Sequence, residues 1–227
     1  MGTEPGRVAA IASALRGIGE ASLARPAIDA ALAEHPKHYG LLLNRGLIEV
    51  DHGNYREAAG YFDQARKLAP REASTHYLYG VCLERSGKAR KAISVLKKAT
   101  VLSPKTLVYR LALGRAFRAA DRLDSAISVY RKAIKEFPDN AHVQQVYARA
   151  LFDDKKYKQA SKEYERLITM QPDEPAPRFL LAIAYGQYLG KPKEAYRLLK
   201  EYEELGGEEP GALRWLKQLE HRYGKKK

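Results

Sequence analysis

The residue types that most often perform catalysis or bind metal ions are few and scattered in this sequence. Its six histidines include one close pair, His35 and His38, and Pro36 between them prevents a regular helical face. No cysteine or second histidine lies at metal-site spacing from His52. The one cysteine, Cys82, excludes an internal disulfide and is interpreted as a small packed side chain. The sequence therefore predicts a protein that is not an enzyme and holds no metal ion or cofactor.

The spacing of prolines indicates how the rest of the chain is built. Five of them recur at intervals of 34 residues: Pro36, Pro70, Pro104, Pro138 and Pro172. An alanine stands twelve residues before each of these prolines, and a large apolar residue stands eight residues before each. A fixed period of this length is typical of an array of structural repeats.

Each period predicts a pair of helices. In the block that ends near Pro104, the pattern predicts a first helix over about 74–86 and a second over 89–102. Gly87 separates them, because glycine adopts the left-handed conformation of a helix end at little cost. Pro104 ends the second helix, since proline lacks an amide donor and disfavours helix in the residue before it.

These recurring positions resemble the motif of the tetratricopeptide repeat (TPR) family. Three successive blocks match it with Gly46, Tyr55, Ala58, Phe62, Ala65 and Pro70, then Gly80, Ala92, Leu96, Ala99 and Pro104, then Gly114, Leu123, Ala126, Tyr130, Ala133 and Pro138. The resemblance covers residues 5–209 and implies an all-α fold, a right-handed superhelix (a solenoid) of about six helix pairs plus a C-terminal capping helix. It also implies a scaffold or adaptor that binds a peptide or helix of a partner protein in a concave groove.

The register divides the chain into seven parts. They are a degenerate first repeat at 5–38, repeats at 39–72, 73–106, 107–140 and 141–174, a repeat with one extra residue at 175–209, and a capping helix at 210–224. The extra residue is expected in the turn at Gly190-Lys191-Pro192. Trp215 belongs to the apolar stripe of the capping helix, and residues 225–227 form a basic tail.

Two charged residues occupy core positions of the first complete repeat. Arg45 and Glu49 stand where the next block has Tyr79 and Leu83. Residues four apart on a helix are neighbours and can form an ion pair. We interpret this pair as a partly buried bridge to the degenerate first repeat.

The candidate binding groove consists of first-helix positions that the packing pattern does not require. These residues are Asn44, Leu47, Tyr77, Val81, Leu111, Arg115, Arg118, Gln145, Arg149, Phe152, Phe179 and Ile183. A wall that only meets water would be polar, whereas this one mixes apolar, aromatic and arginine side chains, which are typical of interfaces. We expect Tyr77, Leu111, Phe152 and Phe179 to anchor the partner and the arginines to bind its carboxylates. The family's two-carboxylate clamp is not predicted, because its lysines are missing.

The charge distribution suggests an acidic partner. The net charge is +13, and residues 85–135 alone carry fourteen basic and two acidic residues, a net charge of +12. A solvated convex face is the other explanation of this basic patch. We favour a protein partner, with nucleic acid bound by the patch as a less favoured alternative and self-assembly into homo-oligomers through the first repeat as another.

The sequence gives no sign of a membrane segment. No stretch approaches the roughly 18 uninterrupted apolar residues of a span, and the N-terminus lacks a signal-peptide pattern. We therefore expect a cytoplasmic protein, with the periplasm as the alternative if a leader is absent from this sequence.

Overall fold

The computed structural model describes residues 4–224, and these residues form helices and no strand. The predicted all-α fold of consecutive helix pairs is thereby confirmed for the described part of the chain. The chain divides into two compact units, one ending at Arg122 and one beginning at Leu123. The predicted basic tail at 225–227 lies outside the described residues. No helix within 4–224 is both long enough and apolar enough to cross a lipid bilayer.

The first unit contains seven helices, each packed against the next along the chain. They are α1 (Pro5–Gly17), α2 (Ala21–Glu34), α3 (Tyr39–Asp51), α4 (Tyr55–Leu68), α5 (Ala73–Arg85), α6 (Ala89–Leu102) and α7 (Leu107–Ala119). We call the odd-numbered helices A helices and the even-numbered ones B helices. A helices also contact one another, α1 with α3 and α5 with α7.

The second unit continues the same alternation. Its helices are α8 (Leu123–Glu136), α9 (Ala141–Asp153), α10 (Tyr157–Met170), α11 (Pro175–Ile183), a π-helical turn (Ala184–Tyr188), α12 (Pro192–Glu204) and α13 (Pro210–Tyr223). Each of these helices packs against the one that follows it. The division between the units falls inside the block predicted at 107–140, between α7 and α8.

Small residues allow the two helices of a pair to approach closely. A Cβ atom added to Gly46 on α3 would lie 2.7 Å from ring carbon Cε1 of Phe62 on α4. One added to Gly80 on α5 would lie 2.5 Å from Cγ of Leu96 on α6. Phe62 and Leu96 are fully buried, so the recurring small and large positions of the sequence face each other in the core.

The A-to-B turns use the left-handed backbone conformation whether or not glycine is available. Gly53 and Gly87 have φ of +77° and +79°. At the equivalent places Asp121 and Lys155 adopt φ of +57° and +58°. A lysine pays a steric cost in this conformation because its Cβ approaches the following carbonyl oxygen. The fold therefore imposes the turn geometry on a residue that does not favour it.

Replacing Lys155 with glycine is expected to stabilise the second unit by about 1 kcal/mol, because glycine avoids the left-handed penalty. The same change at the exposed Lys162 in the interior of α10 is the matched control and should destabilise by about 1 kcal/mol, the usual cost of glycine in a helix interior. Urea denaturation followed by circular dichroism measures both. A lower unfolding midpoint for Lys155→Gly would contradict the assignment of strain to this turn.

The extra residue of the last repeat lies in a helix rather than in the turn. The α-helical part of α11 ends at Ile183, and Ala184–Tyr188 form a π-helical turn, which accommodates one additional residue in a helix. Gly190 then adopts φ of +64°, as the turn glycines of earlier repeats do. The sequence-based placement at Gly190-Lys191-Pro192 was therefore wrong in position, because the turn keeps its usual form and the helix before it absorbs the insertion.

Helix α13 covers the end of the second unit. Ala212, Leu216 and Leu219 are buried in a cluster with Leu199 of α12. The ring of Trp215 lies against Gly186 of the π-helical turn, where an added Cβ would be only 2.5 Å from the indole. The one tryptophan is thus a packing residue in this structure.

Candidate functional site

The predicted groove residues of the first unit have different environments. Leu47, Tyr77, Val81, Arg115 and Arg118 are half-buried. The other two are buried: Leu111 is 7% exposed and Asn44 is 9% exposed. The Asn44 amide donates to the carbonyl oxygens of Ala9 at 3.2 Å and Gly40 at 2.9 Å. Asn44, predicted to line the groove, thus joins α1 to α3, and Leu111, predicted to be an anchor, is buried in the core.

An aromatic pair lies on the A helices α5 and α7. The rings of Tyr77 and Tyr109 are 5.0 Å apart between centroids and tilted by 33°. Burial, with Tyr77 and Glu72 nearby, raises the pKa of Tyr109, so its hydroxyl stays protonated at neutral pH. Val108, next to Tyr109 in the chain, is 46% exposed. Sequence reasoning did not include Tyr109 or Val108 in the groove, although both lie within one helical turn of Leu111.

We define the first A-helix surface as Tyr77, Val81, Val108, Tyr109 and Arg115. Four of its members are apolar or aromatic and all of them keep some contact with solvent. The surface combines a pair of tyrosines with aliphatic side chains and one guanidinium. These residue types are enriched at the cores of protein interfaces.

Two of the three arginines predicted to bind a partner have carboxylate neighbours. Arg115 lies 3.5 Å from Glu84, and Arg149 lies 3.0 Å from Asp153 on the same helix. The Arg115–Glu84 contact is long, and the Arg115 Nε is buried without a hydrogen-bond partner within residues 4–224. A guanidinium with an unsatisfied donor gains free energy from a better-placed acceptor. To bind Arg115, a partner's carboxylate would therefore have to displace Glu84 from its contact with the guanidinium.

The predicted groove residues of the second unit form a second, more polar region. Gln145 and Arg149 on α9 are exposed, while Phe152, Phe179 and Ile183 are half-buried. The Phe179 ring packs on Tyr202 of α12 with 5.4 Å between centroids. Phe179 therefore contributes to the core next to α13, and it is less available as an anchor than the sequence implied.

A cluster of three aromatic rings lies near the A-to-B turns of the second unit. Phe152 is the penultimate residue of α9, Tyr157 begins α10, and Tyr188 ends the π-helical turn. The rings of Tyr157 and Tyr188 are stacked, with centroids 3.8 Å apart and an angle of 11° between their planes. Sequence reasoning found Phe152 but neither tyrosine. Nothing in the period marks Tyr188, because its position depends on the π-helical turn.

The charged pair inside the first unit is present and deeply buried. Arg45 and Glu49 are 4% and 3% exposed and are hydrogen-bonded to each other. The Arg45 Nε also donates to Asp29 of α2 at 2.6 Å. Asn54 donates to the second oxygen of Glu49 at 2.6 Å. The network joins the first helix pair to the next one, and its role is structural.

The basic patch is a solvent-exposed feature where it lies in the first unit. Helix α6 contains no acidic residue, and Arg90, Lys91, Lys97 and Lys98 on it are exposed. The Lys97 ammonium lies 5.6 Å from the ring centroid of Phe117, a cation–π distance. Apart from such contacts, this face offers positive charge with no open aromatic ring.

His38 caps a helix, and Cys82 is buried. The His38 Nδ1 accepts a hydrogen bond from the Leu41 amide at the start of α3. Burial raises the pKa of the Cys82 thiol to about 12, so the reactive thiolate is scarce at neutral pH. Within residues 4–224 there is no group of three or more histidine, cysteine or acidic side chains that could hold a metal ion.

Comparison with known proteins identifies the repeat. Residues 9–50, 43–106 and 117–183 match the family described as tetratricopeptide repeat. A tetratricopeptide repeat protein from Parabacteroides merdae is similar in structure, with a TM-score of 0.65 and 17% identity over 93% of this chain and 82% of that one. No curated protein is significantly similar to the chain in sequence.

Two further solved structures have the same fold. YrrB, described as a TPR protein with an unusual peptide-binding site, has a TM-score of 0.66 and 15% identity over 84% of this chain and 98% of that one. Residues 41 to the end of MamA from Desulfovibrio magneticus RS-1 give a TM-score of 0.68 and 17% identity over 74% of this chain and 94% of that one. At these identities the likeness concerns the fold.

Proposed function

Because the chain belongs to the tetratricopeptide repeat family, we propose that it is a non-enzymatic scaffold that binds a peptide or helical segment of a partner protein on the first A-helix surface. The observation that carries the proposal is the half-exposed group of apolar and aromatic side chains around the Tyr77–Tyr109 pair. The peptide-binding site described for the structural neighbour YrrB supports the same class of ligand.

The mechanism combines apolar anchoring with ion-pair exchange. Tyr77, Val81 and Val108 supply apolar area that loses water when a peptide covers it. Arg115, which has only a 3.5 Å contact with Glu84, turns toward an acidic side chain of the peptide. The exchange replaces a long ion pair by a shorter charge-assisted hydrogen bond, and it gives the site a preference for acidic segments.

Val108→Asp is expected to reduce peptide affinity at least about tenfold, because it replaces an exposed apolar side chain of the surface by a charge. The ligands are peptides selected from a displayed random library on the wild-type chain, and each is titrated by fluorescence anisotropy. Val101→Asp is the matched control: Val101 is 73% exposed on the B helix α6, outside the surface. The Val101→Asp variant should bind the peptides with the affinity of the wild type.

The same selection tests the charge preference. The enriched peptides should contain aspartate or glutamate, and Arg115→Glu should abolish the preference for them. Failure to enrich any peptide, or an equal loss of affinity in the Val108 and Val101 variants, would contradict the proposed function. Circular dichroism of each variant separates loss of binding from loss of fold.

Self-association is a second candidate that one observation favours. Three large apolar side chains of the first helix pair are exposed: Ile11 by 59%, Ile18 by 73% and Leu23 by 65%. The terminal repeats of an array usually have a polar outer surface, so exposed apolar side chains here favour contact with another molecule. Light scattering over a range of concentrations distinguishes a monomer from an oligomer, and Ile18→Glu should reduce any mass increase.

A further inference from the structure

The Tyr157–Tyr188 stack leaves one ring face open. The centroid of Phe152 is 5.2 Å from that of Tyr157 and 5.7 Å from that of Tyr188. Because the two tyrosine centroids are only 3.8 Å apart, these distances place Phe152 beside the stack and not on top of it. One face of Tyr188 is covered by Tyr157, and the residue is still 47% exposed. The outer face of the Tyr188 ring is therefore uncovered by either neighbour.

The surroundings of this stack are positively charged. Lys155 and Lys158 flank Tyr157 in the chain, Lys193 follows Tyr188 by five residues, and all three lysines are exposed. None of their ammonium groups forms an ion pair within residues 4–224. They are therefore available to bind anionic groups.

Two of the acidic side chains near the stack are paired with basic ones. Asp153 is paired with Arg149 at 3.0 Å, and Asp154 is paired with Lys156 at 2.5 Å. Lys191 lies over the ring of Tyr185 at 4.5 Å from the centroid and contributes further positive charge. The net result is an open aromatic face in a basic environment.

We propose that the outer face of Tyr188 is a stacking site for a base of single-stranded nucleic acid, with Lys155, Lys158 and Lys193 contacting the flanking phosphates. This activity is separate from the peptide binding proposed above. Bases stack on exposed aromatic rings largely without regard to sequence, and phosphates bind surrounding cations. The basic face of α6 lacks such a ring.

The first test uses the wild-type chain and three labelled strands of about 15 nucleotides: oligothymidylate, oligouridylate and an abasic strand with the same number of phosphates. Fluorescence anisotropy at low salt gives the affinities. Both base-containing strands should bind at least about fivefold more tightly than the abasic strand, because only they can stack. Equal affinity for all three, or no binding of the base-containing strands, would overturn the proposal.

The second test uses variants of the full chain. Tyr188→Ala should weaken oligothymidylate binding by about 5- to 100-fold and leave abasic binding unchanged, while Tyr188→Phe keeps the ring and the affinity. Tyr223→Ala, at a half-buried tyrosine elsewhere in this unit, is the control and should have no effect. Lys158→Ala should reduce the slope of log affinity against log salt by about 1. Loss of acidic-peptide binding in Tyr188→Ala without any oligonucleotide binding would assign the ring to a peptide instead.

Discussion

Glu49→Ala is expected to destabilise the first unit by about 3 kcal/mol, because it leaves the buried Arg45 guanidinium without its closest counter-charge. The loss stays near the lower end of the range for a broken buried pair, since Arg45 keeps its 2.6 Å hydrogen bond to Asp29. Urea denaturation followed by circular dichroism measures it. Glu4→Ala, which removes a fully solvated pair with Arg7, is the control and should leave the unfolding midpoint unchanged.

A double variant tests whether the loss of stability comes from the unpaired charge of Arg45. Arg45→Tyr together with Glu49→Leu recreates the residues found at the same positions in the next repeat, Tyr79 and Leu83. Replacing a buried ion pair by apolar side chains of similar size is often neutral or stabilising. The double variant should therefore recover most of the lost stability. A Glu49→Ala variant as stable as wild type would contradict the expectation that an unpaired Arg45 destabilises the first unit.

The same network makes the first unit sensitive to acid. Burial alone would raise the pKa of Glu49, but the hydrogen bonds from Arg45 and Asn54 outweigh it and lower the pKa below its ordinary value of 4.5. A group with a lowered pKa in the folded state contributes stability above the unfolded-state pKa and loses it as pH falls through the folded-state value. The stability difference between wild type and Glu49→Ala should therefore shrink below about pH 4.5.

Phe62→Ala is expected to cost about 3–5 kcal/mol, because Phe62 is fully buried between α3 and α4 and its removal leaves a cavity. The contact with Gly46 makes a sharper prediction. Gly46→Ala alone should destabilise by about 1–3 kcal/mol, because its Cβ would overlap the Phe62 ring. In the Phe62→Ala background the same substitution should be neutral or stabilising, because the cavity accepts the methyl group.

Gly60 offers the control for this cycle. It also lies in α4, and an added Cβ would meet nothing within 4 Å. Gly60→Ala should stabilise by about 1 kcal/mol in both backgrounds, as expected for alanine replacing glycine in a helix. If Gly46→Ala changes the unfolding midpoint equally in the wild-type and Phe62→Ala backgrounds, the predicted contact between the two residues is contradicted.

The helices could be predicted from the sequence because the residues that recur every 34 positions are those that helix packing and helix ends require. The predicted second helix at 89–102 coincides with α6, and the predicted first helix at 74–86 differs from α5 by one residue at each end. Small residues at Gly46 and Gly80 are needed wherever two helices approach closely, so they recur and can be recognised. Family membership and the all-α fold were accordingly accessible from one sequence.

The candidate surfaces were less predictable because they depend on which side chains meet. Helical spacing placed Arg115 on an A helix, but it could not show that Glu84 of another helix lies beside it. Leu111 was assigned to the groove because its helix face was inferred from spacing alone, and a residue at the border of two faces can turn inward. The aromatic cluster depends on the π-helical turn at Ala184–Tyr188. The sequence shows that this repeat has one extra residue, but it does not show whether that residue lies in the helix or in the turn that follows.

Because of the π-helical turn, the last repeat is one residue longer than the others but keeps the same turn between its two helices. Gly190 has the same left-handed conformation as its shorter-repeat counterparts, and α12 and α13 follow it with their packing intact. Relatives of unequal repeat length can consequently be aligned by their left-handed residues instead of by residue count. An engineer can likewise transplant the segment that starts at Pro192 onto a repeat of ordinary length, using Gly190 as the splice point.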